Sequence, residues 1–369
     1  MNQSRTRCRF GLSICVDIKV LRSNTALADR IDYLDSAKGI FIILILVLHH
    51  LLGADSVKRY LYSMGVTPFF LISGFLYAYR KEWEQPFGRM CAGKIRKFLY
   101  PFITFSAINL IWNVLYYKVV FPSSVPEFTL KAMFIHTITT YGYNALWYLP
   151  CILWGTLLFF ALRRIRHHNL IFGGLSVGLM VFYILFNQKL TGLGFVSYLY
   201  SYLFRTAVAS VFLYAGSLLY CVFQKLNNTR ENLLLLCCLA FSAVIALLYQ
   251  LYPEHFPTAN LAVHQVGNPY VYYLKAISST TVILLICRKL PGKSRVLTYF
   301  GKNSLILMSL HMDVTVRIAR WFFSKLPIDF GEILNSLIVI AMELLIFVVI
   351  IPIIHRYFPF ILRYPQTKR

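Results

Sequence analysis

Residues 30–52 read Arg-Ile-Asp-Tyr-Leu-Asp-Ser-Ala-Lys-Gly-Ile-Phe-Ile-Ile-Leu-Ile-Leu-Val-Leu-His-His-Leu-Leu. A long apolar run with Lys38 near one end and His49 and His50 at the other predicts a membrane-spanning helix. From Lys38 to His49 an α-helix turns about 1100°, three turns and roughly 20° more, so the two side chains share a face. The same step climbs about 16 Å, half of a hydrocarbon core of about 30 Å. Lys38 is therefore expected at the membrane surface and His49 near mid-depth, where ionisable groups are costly and mark functional pathways. His50 points about 100° away and is as deep, so imidazole chemistry alone does not choose between the two.

The pattern repeats along the chain. Of 369 residues 58% are hydrophobic and 14% charged, where a soluble domain carries about 25% charge. Runs of spanning length fall near 37–53, 60–79, 98–118, 145–162, 170–186, 200–223, 233–252, 270–287, 299–316 and 332–354. About ten such spans define an all-α, polytopic integral membrane protein. The net charge of +23 would suit nucleic acid, but its placement does not. With the N-terminus in the cytoplasm, 26 of the 37 Lys and Arg residues belong to inside segments and eight to outside ones, while Arg205, Lys275 and Lys302 fall within spans. That asymmetry is the positive-inside rule, so the charge reports topology and no nucleic-acid partner is expected. An even span count puts both termini in the cytoplasm. The expected location is a cell (plasma or inner) membrane, with membrane lipids around a multi-pass chain.

Residues 1–30 read as a basic cytoplasmic tail too interrupted to be a signal peptide, 31–360 as the membrane domain, and 361–369 as a second basic tail. The eight cysteines show no paired spacing and no Cys/His cluster, so no metal site is expected. Pro68 is expected to break the second span, and Ser73 with Gly74 to permit close helix contact. His136 reads as a loop histidine without a role. Arg205 either snorkels or faces an internal cavity, and Lys275 raises the same question. Lys302 and His311 lie about 13 Å apart along a helix, again a cation near the inside end and a deep histidine. His311 also suits a hydrogen bond between helices. Glu343, on an apolar face, is a possible partner for an intramembrane cation.

Four stretches carry a resemblance. Asp35-Ser-Ala-Lys38-Gly39 followed by an apolar run to His49 resembles the first helix of the membrane acyltransferase-3 family, whose basic-x10-His signature usually has Arg where this chain has Lys38. Pro68-Phe-Phe70-x-x-Ser73-Gly74-Phe resembles the family's second span. Leu146-Trp147-Tyr148-Leu149 resembles its Leu-Trp-Phe-Leu signature, and Gly301-x-Asn303-Ser304 with a run to His311 resembles its late-span motif. The resemblance implies that Phe70, Ser73, Gly74, Trp147, Tyr148, Asn303, Ser304 and His311 form the cavity that takes the acceptor. A basic cluster before a Pro-Tyr pair in relatives implies that Arg96 and Lys97, with Lys38, bind the donor. The Lys38 variant looks more like the fucose 4-O-acetylase branch.

The activity implied is O-acylation: acetyl-CoA, or a similar acyl-CoA, gives its acyl group to a hydroxyl of a surface polysaccharide or lipid-linked glycan precursor. No tightly bound cofactor is expected. Such a transfer needs a base for the hydroxyl proton and donors for the oxyanion, with the reactants held in line. His49 is the candidate base by the family register; a transient acyl-histidine remains an alternative to direct transfer. A glycan or lipid transporter is the competing reading, since buried Lys, Arg, Glu and His suit a transport path too. It would usually carry an internal repeat, which this sequence lacks.

Overall fold

Successive apolar runs each close their own backbone hydrogen bonds as helices. The computed structural model describes residues 31–52, 55–62, 64–120, 127–290, 294–327 and 329–362, so the tail over 1–30 and most of that over 361–369 lie outside it. The helices are α1 (Asp32–His50), α2 (Asp55–Tyr62), α3 (Thr67–Tyr79), α4 (Phe87–Leu115), α5 (Glu127–Ile138), α6 (Tyr148–Arg163), α7 (His168–Leu190) and α8 (Phe195–Phe223). They continue as α9 (Asn228–Leu251), α10 (Pro269–Lys289), α11 (Arg295–Lys302), α12 (Ser304–Leu310), α13 (Val316–Phe323), α14 (Glu332–Tyr357) and α15 (Pro359–Leu362). No strand occurs among the described residues. Local sequence sets several starts: the side chains of Asn227, Asn268 and Ser294 accept from the backbone N–H groups of Arg230, Val271 and Leu297, capping α9, α10 and α11.

Among the described residues, nine helical segments are long and apolar enough to cross a membrane. The span expected over 299–316 is not among them: that stretch is broken into short helices, with boundaries that differ from those expected. Lys302 is exposed at the end of the amphipathic α11, outside the span. The crossing stretch is α12, a π-helical turn over His311–Thr315, and α13. Asp313, Arg317 and Arg320 lower its hydropathy, which is why an apolar-run criterion ends it early. The first span also shifts. It begins at Asp32 and ends at His50, so Lys38 lies in the second turn and His49 in the last turn rather than at the helix midpoint. Pro68 does not kink a continuous helix; it occupies the first turn of α3, where its missing N–H costs nothing.

Only 6% of the apolar window of α7 and 11% of that of α9 are buried, against 67% for α10. Helices apolar all round and uncovered by protein face lipid, so α7 and α9 form the periphery. The centre is α1, α3, α6, α8, α10 and the broken span. Glycine sets how closely these approach. A Cβ at Gly39 would lie 2.0 Å from the carbonyl oxygen of Leu297, and one at Gly301 would lie 1.7 Å from that of Asp35. Ser36 and Thr298 add a hydroxyl contact of 3.1 Å beside them. The expected close contact at Gly74 is likewise present, against the Leu213 carbonyl of α8.

Because the obstacle at Gly301 is backbone, Gly301→Ala is expected to destabilise the chain by about 1–3 kcal/mol, the range for overpacking. Gly173→Ala, on the lipid-facing side of α7 with nothing within 4 Å, should be neutral or slightly stabilising. Thermal unfolding of the detergent-purified chains measures the contrast; equal midpoints would contradict the packing account.

Candidate active site

The last turn of α1 meets the π-helical turn after α12, and three histidines gather there. The ring of His49 lies 5.2 Å from that of His311 and 6.4 Å from that of His50, centroid to centroid. Their environments differ. His311 is fully buried, and its Nδ1–H donates to the carbonyls of Leu307 (3.1 Å) and Met308 (3.0 Å). That fixes its tautomer and leaves Nε2 as a buried acceptor without a hydrogen-bond partner among the described residues. His50 turns into the bundle, where its Nε2 lies 3.2 Å from Oε2 of Glu343. The other carboxylate oxygen of Glu343 accepts from the Thr315 hydroxyl at 2.5 Å. Glu343 thus partners one of the deep basic groups, and that group is a histidine. His49 alone of the three is exposed, and its ring makes no hydrogen bond to a described residue.

His49 opens onto a cavity of ≈ 680 Å³, within the size range of small-molecule sites. His311 and Met308 line it beside His49. Tyr62 and Thr67 come from the α2–α3 region, and Tyr141, Asn144 and Trp147 from the segment before α6. Arg205 on α8 and residues 260–263 complete it. A second, more apolar hollow of ≈ 590 Å³ between α5 and α8 shares His136, Tyr141 and Tyr198 with it.

Of the residues expected around the acceptor, the structure brings Trp147 and His311 to this cavity. The others do not line it. Phe70 and Tyr148 are buried and stack on each other at 5.3 Å. Gly74 serves the α3–α8 contact, and Ser73 is half-buried on the same helix. Asn303 and Ser304 form the break between α11 and α12, where Asn303 donates to the Tyr299 carbonyl (2.9 Å) and meets His355 (2.7 Å). Motif residues flanking His49 in sequence are thus largely the frame that holds it.

The basic residues expected to meet the donor lie away from this cavity, at the Lys38 end of α1. Lys38 lies 3.4 Å from Asp35. Lys97 is half-buried on α4, 5.2 Å over the Phe98 ring, with Lys94, Lys38 and Arg80 within electrostatic reach. Arg96, the preceding residue and about 100° round the helix, is exposed. The buried cation is instead Lys94, paired with Glu82 and seated 3.8 Å over the Tyr77 ring.

Sequence reading missed two features. Asp313, in the π-helical turn, accepts from Asn144 (2.9 Å) and Asn113 (3.4 Å) and lies 3.6 Å from Arg317, which donates to Asn113 at 2.7 Å. The i,i+4 spacing of Asp313 with Arg317, and of Asn109 with Asn113, was its signal. His136 has more than a loop position: it lines the cavity 5.0 Å from the Tyr141 ring. Burial first, and then the positive charge of Arg205, hold its imidazole below the ordinary value, and the same two causes act on His264. Lys275 reaches no cavity. It donates to the Tyr60 carbonyl and lies over the rings of Tyr60 (3.6 Å) and Tyr249 (4.1 Å). Among the described residues no group of His, Cys, Asp or Glu has metal-site geometry.

Structural and reactive histidines should separate by stability. Glu343→Ala leaves the buried Thr315 hydroxyl and the buried His50 ring without their neighbour and is expected to cost about 1–3 kcal/mol. His49→Ala removes a cavity-facing ring and should fall within about 0.5 kcal/mol of native. Thermal unfolding of both variants checks this; a larger loss for His49→Ala would contradict it.

A family model described as an acyltransferase domain matches residues 31–357. Neither the curated proteins nor the solved structures yield a match to the chain. Since the matched region takes in every transmembrane segment and the whole cavity, the chain belongs to the acyltransferase-3 family.

Proposed function

We propose that the chain is a membrane O-acyltransferase, moving an acetyl or similar acyl group from acyl-CoA to a hydroxyl of a cell-surface sugar or lipid-linked glycan precursor. The observation that carries this reading is the His49 ring, which makes no hydrogen bond to a described residue and is exposed in a ≈ 680 Å³ cavity walled by Tyr62, Tyr141 and Trp147. Aromatic faces suit sugar rings, and an unengaged imidazole suits a base near neutral pH. His311 Nε2 offers an acceptor beside it that can hold one His49 N–H, leaving the other nitrogen to act.

In the step proposed, His49 removes the acceptor hydroxyl proton as its oxygen attacks the thioester carbonyl. The tetrahedral intermediate collapses with breakage of the carbon–sulfur bond. The new ester stays on the acceptor, and the departing thiolate takes the proton from His49. The donor phosphates are assigned to the basic group at the other end of α1, where Lys38, Lys97 and Arg80 cluster. From there the extended pantetheine arm runs along α1 over the ~16 Å between Lys38 and His49. With the Lys-rich end facing the cytoplasm, as the charge asymmetry favours, donor and acceptor approach from opposite sides.

Alkali-labile acyl esters on the surface glycan should fall at least about 100-fold in cells carrying His49→Ala at native membrane abundance, with glycan export unchanged. Persistent esters with reduced export would overturn the assignment in favour of transport.

A further inference from the structure

Buried cations in this chain have acidic partners with one conspicuous class of exception. Lys94 has Glu82, the half-buried Arg317 has Asp313, and the more exposed Arg288 has Glu231. Lys275 has a backbone carbonyl and two aromatic rings, and sits in no cavity. Arg205 is 2% exposed, lines the cavity that holds His49, and has no carboxylate partner among the described residues. Its Nε donates to the Ser201 carbonyl (3.2 Å), Nη1 to that of Ala262 (3.2 Å) and Nη2 to that of Tyr141 (3.5 Å). A guanidinium has five N–H groups, so one on Nη1 and one on Nη2 have no acceptor among the described residues. Tyr141 and Trp147 lie 4.2 and 5.3 Å from the guanidinium carbon, steadying its plane. The histidines beside this cavity, His136 and His49, carry no negative charge in either protonation state and so cannot balance Arg205.

We propose that Arg205 docks a carboxylate carried by the substrate, so that this acyltransferase acts on an anionic acceptor sugar or transfers a dicarboxylic acyl group. A buried cation is stabilised when an anion enters beside it, and a planar fork with free N–H groups on both terminal nitrogens matches a carboxylate. A role confined to clamping the three carbonyls would need no charge, since neutral donors bind carbonyls without the cost of desolvating a cation. The inference rests on the acyltransferase reading for its substrate class, but the anion site itself does not depend on turnover.

The test measures binding of methyl glucuronide, methyl glucoside and succinate to the detergent-purified full chain by isothermal calorimetry. A carboxylated ligand should bind at least roughly tenfold more tightly than methyl glucoside, as expected of a charge-assisted hydrogen bond. Preference for the glucuronide assigns the carboxylate to the acceptor, and preference for succinate assigns it to the acyl group. Arg205→Met should bring the ligands within about twofold of one another, and Arg205→Lys should retain part of the preference. Equal binding of all three by the native chain, or a preference that survives Arg205→Met, overturns the proposal. If Arg205→Met does not fold, the native comparison and Arg205→Lys decide. Carboxylate binding through Arg205 without any acyl transfer would defeat the acyltransferase reading and leave the site standing; transfer without carboxylate preference would do the reverse.

Discussion

The close approach of α1 to α11 at Gly39 and Gly301 governs where the reactive side chains lie. At both positions the neighbour is a backbone carbonyl less than or equal to 2.0 Å from where a Cβ would sit, so neither helix can accept a side chain without moving. In a bilayer, where lipid tails are as apolar as leucine, helices associate through such close packing and through hydrogen bonds. From this contact two paths run to one place: α1 continues to His49, while the chain breaks at Asn303 and winds through α12 to His311. The π-helical turn at His311 widens the helix where the two meet, and it places Asp313 among Asn113, Asn144 and Arg317. One packing constraint thus brings together His49, the neighbouring His311 imidazole and the polar cluster beside the cavity.

The same economy explains how so many ionisable groups survive inside a membrane protein. Charge in an apolar medium is expensive, and each buried group answers it with a partner. The pairs Lys94–Glu82 and His50–Glu343 fix helices to one another. Arg205 answers with carbonyls and aromatic faces, and those carbonyls belong to the two segments, around Tyr141 and Ala262, that wall the cavity. The cation that holds the walls also lines the cavity between them.

Much of the architecture was legible in the sequence because membrane spans announce themselves by length and apolarity. The lipid-facing α7 and α9 are the plainest case, with no charged residue over 170–186 or 233–248. The broken span was legible only in part: Asp313, Arg317 and Arg320 are intelligible as membrane residues only once Asn113 and Asn144, some 170 to 200 positions away, are seen to satisfy Asp313. The choice between His49 and His50 follows the same logic. Adjacent on one helix, they are indistinguishable until Glu343 claims one of them. Arg205 could be read either way until the loop at residues 260–263 was placed over it. Phe70, Gly74 and Tyr148 pack between helices and do not line the cavity, because sequence spacing records which residues are adjacent on a helix and not which face looks inward.

The most direct test of the account is the turnover number of Gly301→Ala, measured for acyl transfer at a temperature where the variant is as fully folded as the native chain. Gly301 does not line the cavity; it packs against Asp35 and Gly39 on either side of Lys38, so a disturbed donor site would show in KM for acyl-CoA, and a fall in kcat alone reports the alignment of α1 with α12. Displacement of about 1 Å at a reacting centre can slow a reaction roughly 100-fold, and the account predicts a fall of at least about tenfold in kcat with KM for acyl-CoA near native. A native kcat in a fully folded Gly301→Ala chain would contradict it.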